Sequence, residues 1–225
     1  MFAIIDGSYF LHRALHQKAY RELRTSSGVF SGGIFGLLRT IGTALRDVSA
    51  TRALCVWDGH KSERRLALYP GYKQREHKPE PDGFDYMGSY RTSRAAAEEI
   101  LPKLGVRSLC LPAREGDDTV YRVKRSIRNW RPDEKIAILS ADRDMNQLID
   151  TLCSVYRPLT GEWLHSDNQD TNTGVCSSEE YLMWRALSGD SSDKISGIRG
   201  VGDARAVELI HLARPYRLEY GQSMQ

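Results

Sequence analysis

Short apolar runs rich in branched residues alternate along the chain with longer stretches whose apolar positions recur at helical spacing. The short runs predict strands over 2–5, 53–57, 106–111, 136–139 and 153–159. The longer stretches predict helices over 32–46, 92–104, 119–130, 145–148, 178–187 and 204–212. A strand, helix, strand alternation of this kind implies an α/β fold, with a parallel central sheet and helices on both faces. One segment breaks the rhythm. Residues 60–88 contain Pro70, Pro79, Pro81 and many charges, and read as a long mobile insertion that leaves directly from a strand end.

Composition narrows the class. At 225 residues, with 40% apolar and 27% charged positions, the chain is long enough for one well-buried core and a small appendage. No apolar run approaches the roughly 18 residues that suggest a bilayer span, and the first six residues lack the basic stretch of a signal peptide. The expected location is therefore the cytoplasm, with no membrane partner. Four cysteines without CxxC spacing suggest neither zinc nor a disulfide framework. A net charge of +3 is too small to imply a polyanion partner by itself, but Lys and Arg concentrate between Lys61 and Lys78.

The acidic residues carry the chemistry. Three predicted strands run into an aspartate: Asp6, Asp58 and, after Ser140-Ala141, Asp142. In open α/β sheets functional groups collect at the carboxyl edge of the strands, so these three are expected to face one crevice. Glu115, Asp117 and Asp118 follow a fourth strand and open a helix, Asp144 lies two residues past Asp142, and Asp190 and Asp193 come from Gly189-Asp190-Ser191-Ser192-Asp193. Like charges in one pocket raise each other's pKa, and bound cations relieve the repulsion. Oxygen ligands without a Cys or His cluster favour Mg²⁺ or Mn²⁺ over zinc. Two such ions about 4 Å apart would clamp a scissile phosphate, activate water and stabilise the leaving oxygen. Each acidic element alone is more often a helix cap; jointly they define a site. His12 and His16 stand four apart, but no His-Glu-x-x-His accompanies them, and neither a Walker motif nor a Gly-x-Gly-x-x-Gly order is present.

In order and spacing, these motifs resemble the 5′-nuclease family of flap endonucleases, phage 5′-exonucleases and the 5′-nuclease domain of DNA polymerase I. The resemblance runs from Ile5-Asp6-Gly7-Ser8 through Trp57-Asp58-Gly59, Pro70-Gly71-Tyr72-Lys73-Gln74-Arg75, Arg114-Glu115-Gly116-Asp117-Asp118 and Ser140-Ala141-Asp142-Arg143-Asp144. It ends in the stretch from Gly189 to Gly202. It implies a PIN-like core over 1–175 that includes an arch-like segment at 60–90, and a helical DNA-binding element, a helix-three-turn-helix, over 176–225.

The resemblance also implies roles. Asp6, Asp58, Glu115 and Asp117 would hold one ion and Asp142, Asp144 and Asp193 the other, with Asp118 and Asp190 in an outer layer. Asp58, Asp142 and Lys73 are the expected catalytic residues, and Lys73 would reach the scissile phosphate as an electrophilic helper. Tyr72, Lys73 and Arg75 would meet a single strand, while Gly197, Gly200, Gly202 and Arg205 would grip duplex backbone, with K⁺ in the glycine turn. The expected partner is DNA with a 5′ flap, nick or end, or an RNA/DNA hybrid, handled by a monomer beside other replication proteins. The chain departs from the family at Ser196-Gly197 and Gly202-Asp203-Ala204-Arg205, where relatives carry Pro-Gly and Gly-Pro-Lys-Thr. Asp203 adds negative charge where a phosphate should sit. The rival readings are a PIN-like ribonuclease, which the glycine turn disfavours, and a non-catalytic DNA-junction-binding protein, which the full carboxylate set disfavours.

Overall fold

The computed structural model describes residues 1–74, 80, 82–167, 174–175 and 177–221, with side chains through 214. Arg75 and Lys78 therefore lie outside the described residues. Five parallel strands and one antiparallel edge strand form a sheet in the order β3-β2-β1-β4-β5-β6. They are β1 (Phe2–Asp6), β2 (Arg52–Trp57), β3 (Arg107–Cys110), β4 (Ile136–Leu139), β5 (Cys153–Arg157) and β6 (Glu162–Leu164). The chain builds outward from β1 to β2 and β3, then returns to place β4 on the other side of β1. This reversal opens a crevice at the carboxyl ends of β1 and β4, where the connections part to opposite faces.

Two apolar layers fix the strands. On one face Ala3, Ile5, Cys55, Trp57 and Leu139 pack against α1 (Gly7–His16), α3 (Gly32–Asp47) and α5 (Tyr86–Lys103). On the other, Ile4, Val56, Ile136, Ile138 and Val155 meet Val120, Val123 and Ile127 of α6 (Gly116–Trp130) and Met145 and Leu148 of a 3₁₀ turn, Arg143–Leu148. The alternation of Ala3 and Ile5 against Ile4 is the period-two pattern of a strand buried on both sides. Each large side chain among these contributes about 1.5–3 kcal/mol by leaving water. Short helices α2 (Lys18–Arg21) and α4 (Glu63–Leu68) complete this part.

The remaining elements are α7 (Ser178–Ser188), the hairpin β7 (Gly189–Asp190) and β8 (Ile195–Ser196), and α8 (Asp203–Gly221). They enclose a separate apolar cluster of Val175, Tyr181, Trp184, Ala206 and Ile210. Ser177 starts α7 by accepting the Glu180 amide at 3.2 Å, with acidic residues in the first turn.

Several sequence expectations change in detail. The run at 153–159 stops at Arg157 because Gly161, at φ +69°, turns the chain back into β6. That strand of three residues has too short a pattern to read. The helix expected from 92 begins at Tyr86, where the Asp85 carboxylate accepts the Gly88 amide at 2.9 Å. The helix expected over 145–148 is the 3₁₀ turn, begun by Asp142 accepting the Asp144 amide at 3.0 Å. The stretch 60–74 of the insertion is docked rather than detached: it carries α4, and Tyr72 is buried.

Candidate active site

The carboxyl ends of β3, β2, β1 and β4 deliver the acidic residues to one cleft of about 900 Å³. Asp6, Asp58, Glu115, Asp117, Asp142, Asp144 and Asp193 all line it, together with Ser8, His12 and Lys73. Asp6 ends β1 and also caps α1, accepting the Tyr9 amide at 3.0 Å. Its neighbour Gly7 lets the helix leave against β2, since a Cβ there would sit 2.6 Å from Cys55 Sγ. The second Asp6 oxygen accepts the Ser140 hydroxyl at 2.8 Å. Asp58 is aimed by the Gly116 amide, which donates to Oδ1 at 2.6 Å, while its own amide donates to Ser8 Oγ at 3.0 Å.

The electrostatics show an unbalanced negative pocket. Burial pushes the Asp6 carboxyl up to about 7; Tyr9 and Ser140 oppose this, and the charges of Asp58 and Asp142 add to it. Burial followed by Asp142 raises Asp144 to about 6, against the pull of Arg185. Burial also raises Asp117 and Asp193. Glu115 departs in the other direction. Burial favours its neutral form, yet Lys73, Tyr72 and the Ser62 amide together hold its pKa below the ordinary value. The donors are Lys73 Nζ at 2.6 Å, the Tyr72 hydroxyl at 2.9 Å and Ser62 N at 3.3 Å.

Asp144, Asp190 and Asp193 each bring a carboxylate oxygen within 4.8 Å of the others, a spacing suited to a metal ion. An all-oxygen donor set in which burial raises the Asp144 and Asp193 carboxyls fits a hard divalent cation, which would supply the missing positive charge.

Two of the nine acidic residues stand apart from the cleft wall. Asp118 turns to Arg65, which grips it with two bonds of 3.0 Å. Asp190 pairs with Arg185, and its other oxygen accepts the Ser192 amide at 2.8 Å and hydroxyl at 2.6 Å. It organises the loop that presents Asp193. Of the residues expected to touch DNA, Tyr72 is buried with its hydroxyl on Glu115, and Lys73 lies in the cleft between Glu115 and Asp193, 3.8 Å from the latter. Gly197 packs behind α7, where a Cβ would come within 2.4 Å of Ser188 backbone. Gly200, at φ +81°, Gly202 and Arg205 are exposed around the turn into α8. His12 and His16 share the Tyr86 hydroxyl, at 2.7 and 3.4 Å.

Sequence reasoning did not assign site roles to Arg65, Arg185 and Ser140. For Arg185 a signal exists, a cation in the last helical turn before an acidic loop. Ser140 stands between a strand and its aspartate. Nothing local distinguishes Arg65 from the neighbouring Arg64.

An open, mostly parallel α/β sheet with carboxylates massed at its carboxyl edge defines the class of phosphate-ester chemistry that hard cations serve. Residues 1–178 match the family model described as 5′-3′ exonuclease, N-terminal resolvase-like domain, and the chain belongs to that family. It is 27% identical over 210 residues to a 5′-3′ exonuclease of Buchnera aphidicola, covering 92% of this chain and 69% of that one. It is 27% identical over 211 residues to a thermostable DNA polymerase I of Thermus caldophilus, with 92% of this chain matched. The chain spans only 23% of that polymerase. The fold is shared with the flap endonuclease of bacteriophage T5, solved as a pseudo-enzyme-product complex with DNA and metal ions, at a TM-score of 0.75 and 20% identity over 94% of this chain and 74% of that one. Among the described residues no helix is long and apolar enough to cross a membrane.

Proposed function

We propose that this chain is a divalent-metal-dependent 5′-nuclease, a 5′-3′ exonuclease and flap endonuclease that hydrolyses DNA phosphodiester bonds to leave a 5′-phosphate. The observation that carries this reading is the convergence of seven carboxylates from four strand ends and the Asp193 loop on one cleft, with Lys61 and Lys73 among them. Asp6, Asp58, Glu115 and Asp117 would hold one Mg²⁺ or Mn²⁺, and Asp142, Asp144 and Asp193 the second. When bound, such a pair activates water and stabilises the leaving oxygen.

The chain's own groups supply position and charge. The Gly116 amide and the Ser140 hydroxyl hold Asp58 and Asp6 in fixed orientations, so the ligands need little reorganisation. Lys73 is placed to offset charge on a phosphate entering the cleft. In this reading residues 1–175 perform the cleavage, and 176–225, with their separate apolar cluster, grip duplex backbone through the turn from Gly197 to Gly202 and Arg205. K⁺ in that turn belongs to the same reading. DNA with a 5′ flap, nick or end is the proposed substrate, and the T5 flap endonuclease solved with DNA supports it by fold.

The test is cleavage of labelled flap, nicked, gapped and single-stranded DNA, with matched RNA flaps, in Mg²⁺ and in chelator. Mg²⁺-dependent cutting near the 5′ end of flap DNA is expected. Cutting of RNA alone, or none with Mg²⁺ or Mn²⁺, overturns the reading.

A further inference from the structure

Glu115 is the point on which the docked segment 61–74 converges. A carboxylate offers about four acceptor positions. Three donors from the segment hydrogen-bond to this one, Ser62 N at 3.3 Å on Oε1 and the Tyr72 hydroxyl at 2.9 Å and Lys73 Nζ at 2.6 Å on Oε2, and Arg65 Nη1 lies 3.2 Å from Oε1 as an ion pair. A cation that takes Glu115 as a ligand therefore meets a carboxylate already crowded by two positive side chains, Arg65 and Lys73.

Charge selects which one leaves. The Ser62 amide and the Tyr72 hydroxyl are neutral and tolerate a neighbouring cation. Arg65 keeps its two-bond grip on Asp118 whatever happens at Glu115. Lys73 has no such second anchor, since its other acidic neighbour, Asp193 at 3.8 Å, faces the same cleft. Its backbone also sits at φ +48°, a left-handed conformation that is strained for a residue bearing a side chain. The Lys73 amide is held only by a long bond of 3.4 Å to the Asp193 carbonyl. The Lys73 carbonyl also accepts Lys61 Nζ at 2.8 Å, so release of the ammonium leaves this strained residue with its two backbone bonds.

We propose that the Lys73–Glu115 ion pair is a latch that a divalent ion opens, so that ion loading at Glu115 and docking of residues 69–74 oppose each other. The α4 end stays fixed through Arg65 and Asp118, and the Lys73 end loosens from it. This rests on the nuclease reading and orders it: the ion arrives first, and only then is the Lys73 ammonium free to meet a phosphate. Linkage makes the effect reciprocal, because an ion that loosens the segment is itself bound more tightly when the segment is already loose.

The experiment is hydrogen exchange of the full chain with and without Mg²⁺ in the absence of DNA, beside calorimetric Mg²⁺ titration, for the parent and Lys73→Gln. Mg²⁺ should accelerate exchange of the amides of 72–74 in the parent while leaving α4 unchanged. Lys73→Gln should exchange fast without Mg²⁺, respond little to it, and bind it at least about fivefold more tightly. A merely electrostatic role for Lys73 would raise affinity in the variant but leave the parent's exchange insensitive to Mg²⁺. Mg²⁺ binding with unchanged or slowed exchange in the parent therefore overturns the latch and leaves the nuclease reading standing. Absence of Mg²⁺ binding overturns both.

Discussion

The Ser140 hydroxyl donates to Asp6 at 2.8 Å, tying the end of β4 to the end of β1 across the crevice. The same oxygen accepts the Asp142 amide at 3.0 Å, so one small side chain sets two acidic residues at once. Both Ser140 and Asp6 are buried, which makes an unmet bond costly. Ser140→Ala should lower stability by about 1–3 kcal/mol, the penalty of leaving a buried polar group unsatisfied. It should also weaken Mg²⁺ binding by calorimetry. A variant with unchanged melting temperature and unchanged Mg²⁺ affinity would show that the bridge is incidental.

Charge removal at the cleft should separate chemistry from binding. Asp58→Asn and Asp142→Asn keep the shape of their side chains while deleting one ligand charge each, so cleavage should vanish while flap DNA is still retained in a gel-shift assay. Lys73→Ala should instead leave a measurable single-turnover rate, reduced on the order of 100-fold, the usual cost of losing one preorganised charge-stabilising group. Full activity in Asp58→Asn would show that its carboxylate is not a ligand.

Much of this architecture is legible in the sequence because its signals are local. Ile4-Ile5-Asp6 announces both a buried strand and a carboxylate at its end, and the sheet order then brings Asp6, Asp58 and Asp142 together. What the sequence does not disclose depends on long-range geometry. Arg65 meets Asp118 across 53 positions, and neither residue's neighbours single it out. Tyr72 looks like a stacking surface in an open arch, yet tertiary packing buries its ring and spends its hydroxyl on Glu115. Burial of that kind is decided by where the segment folds back, which no periodicity within 60–88 encodes.

Gly197 offers a test of the hairpin that carries the acidic loop. A Cβ there would stand 2.4 Å from the Ser188 carbonyl carbon and 2.5 Å from Leu187 O, both backbone atoms that cannot move independently. Gly197→Ala should force β8 away from α7, disturb Asp190 and Asp193 together, and cost about 1–3 kcal/mol as an overpacked site. Gly202→Ala meets open space and serves as the matched control. In thermal melts the first variant should lose stability and the second should not. Equal melts for the two would refute the tight packing.

Asp150 gives a pH dependence remote from the cleft. It lies just before β5 and joins α6 to it, accepting Lys124 Nζ at 2.7 Å, Arg128 Nη2 at 3.1 Å and the Leu152 amide at 2.8 Å. Partial burial alone would raise its pKa, but Lys124, the Leu152 amide and Arg128 outweigh that and hold it below the ordinary value of 3.8. A folded pKa below the unfolded one means that the ionised form favours folding. The stabilisation is complete above the unfolded value and fades as pH falls through the folded one. At neutral pH Asp150→Asn should therefore melt below the parent. As pH drops below about 4, the usual unfolded aspartate value, the gap should close because the parent loses its advantage and the variant has none to lose. Side-chain exposure of 40% and added salt should both keep the effect modest. A melting gap that stays constant from neutral pH to below pH 4 would mean that the ion pairs at Asp150 do not stabilise the fold.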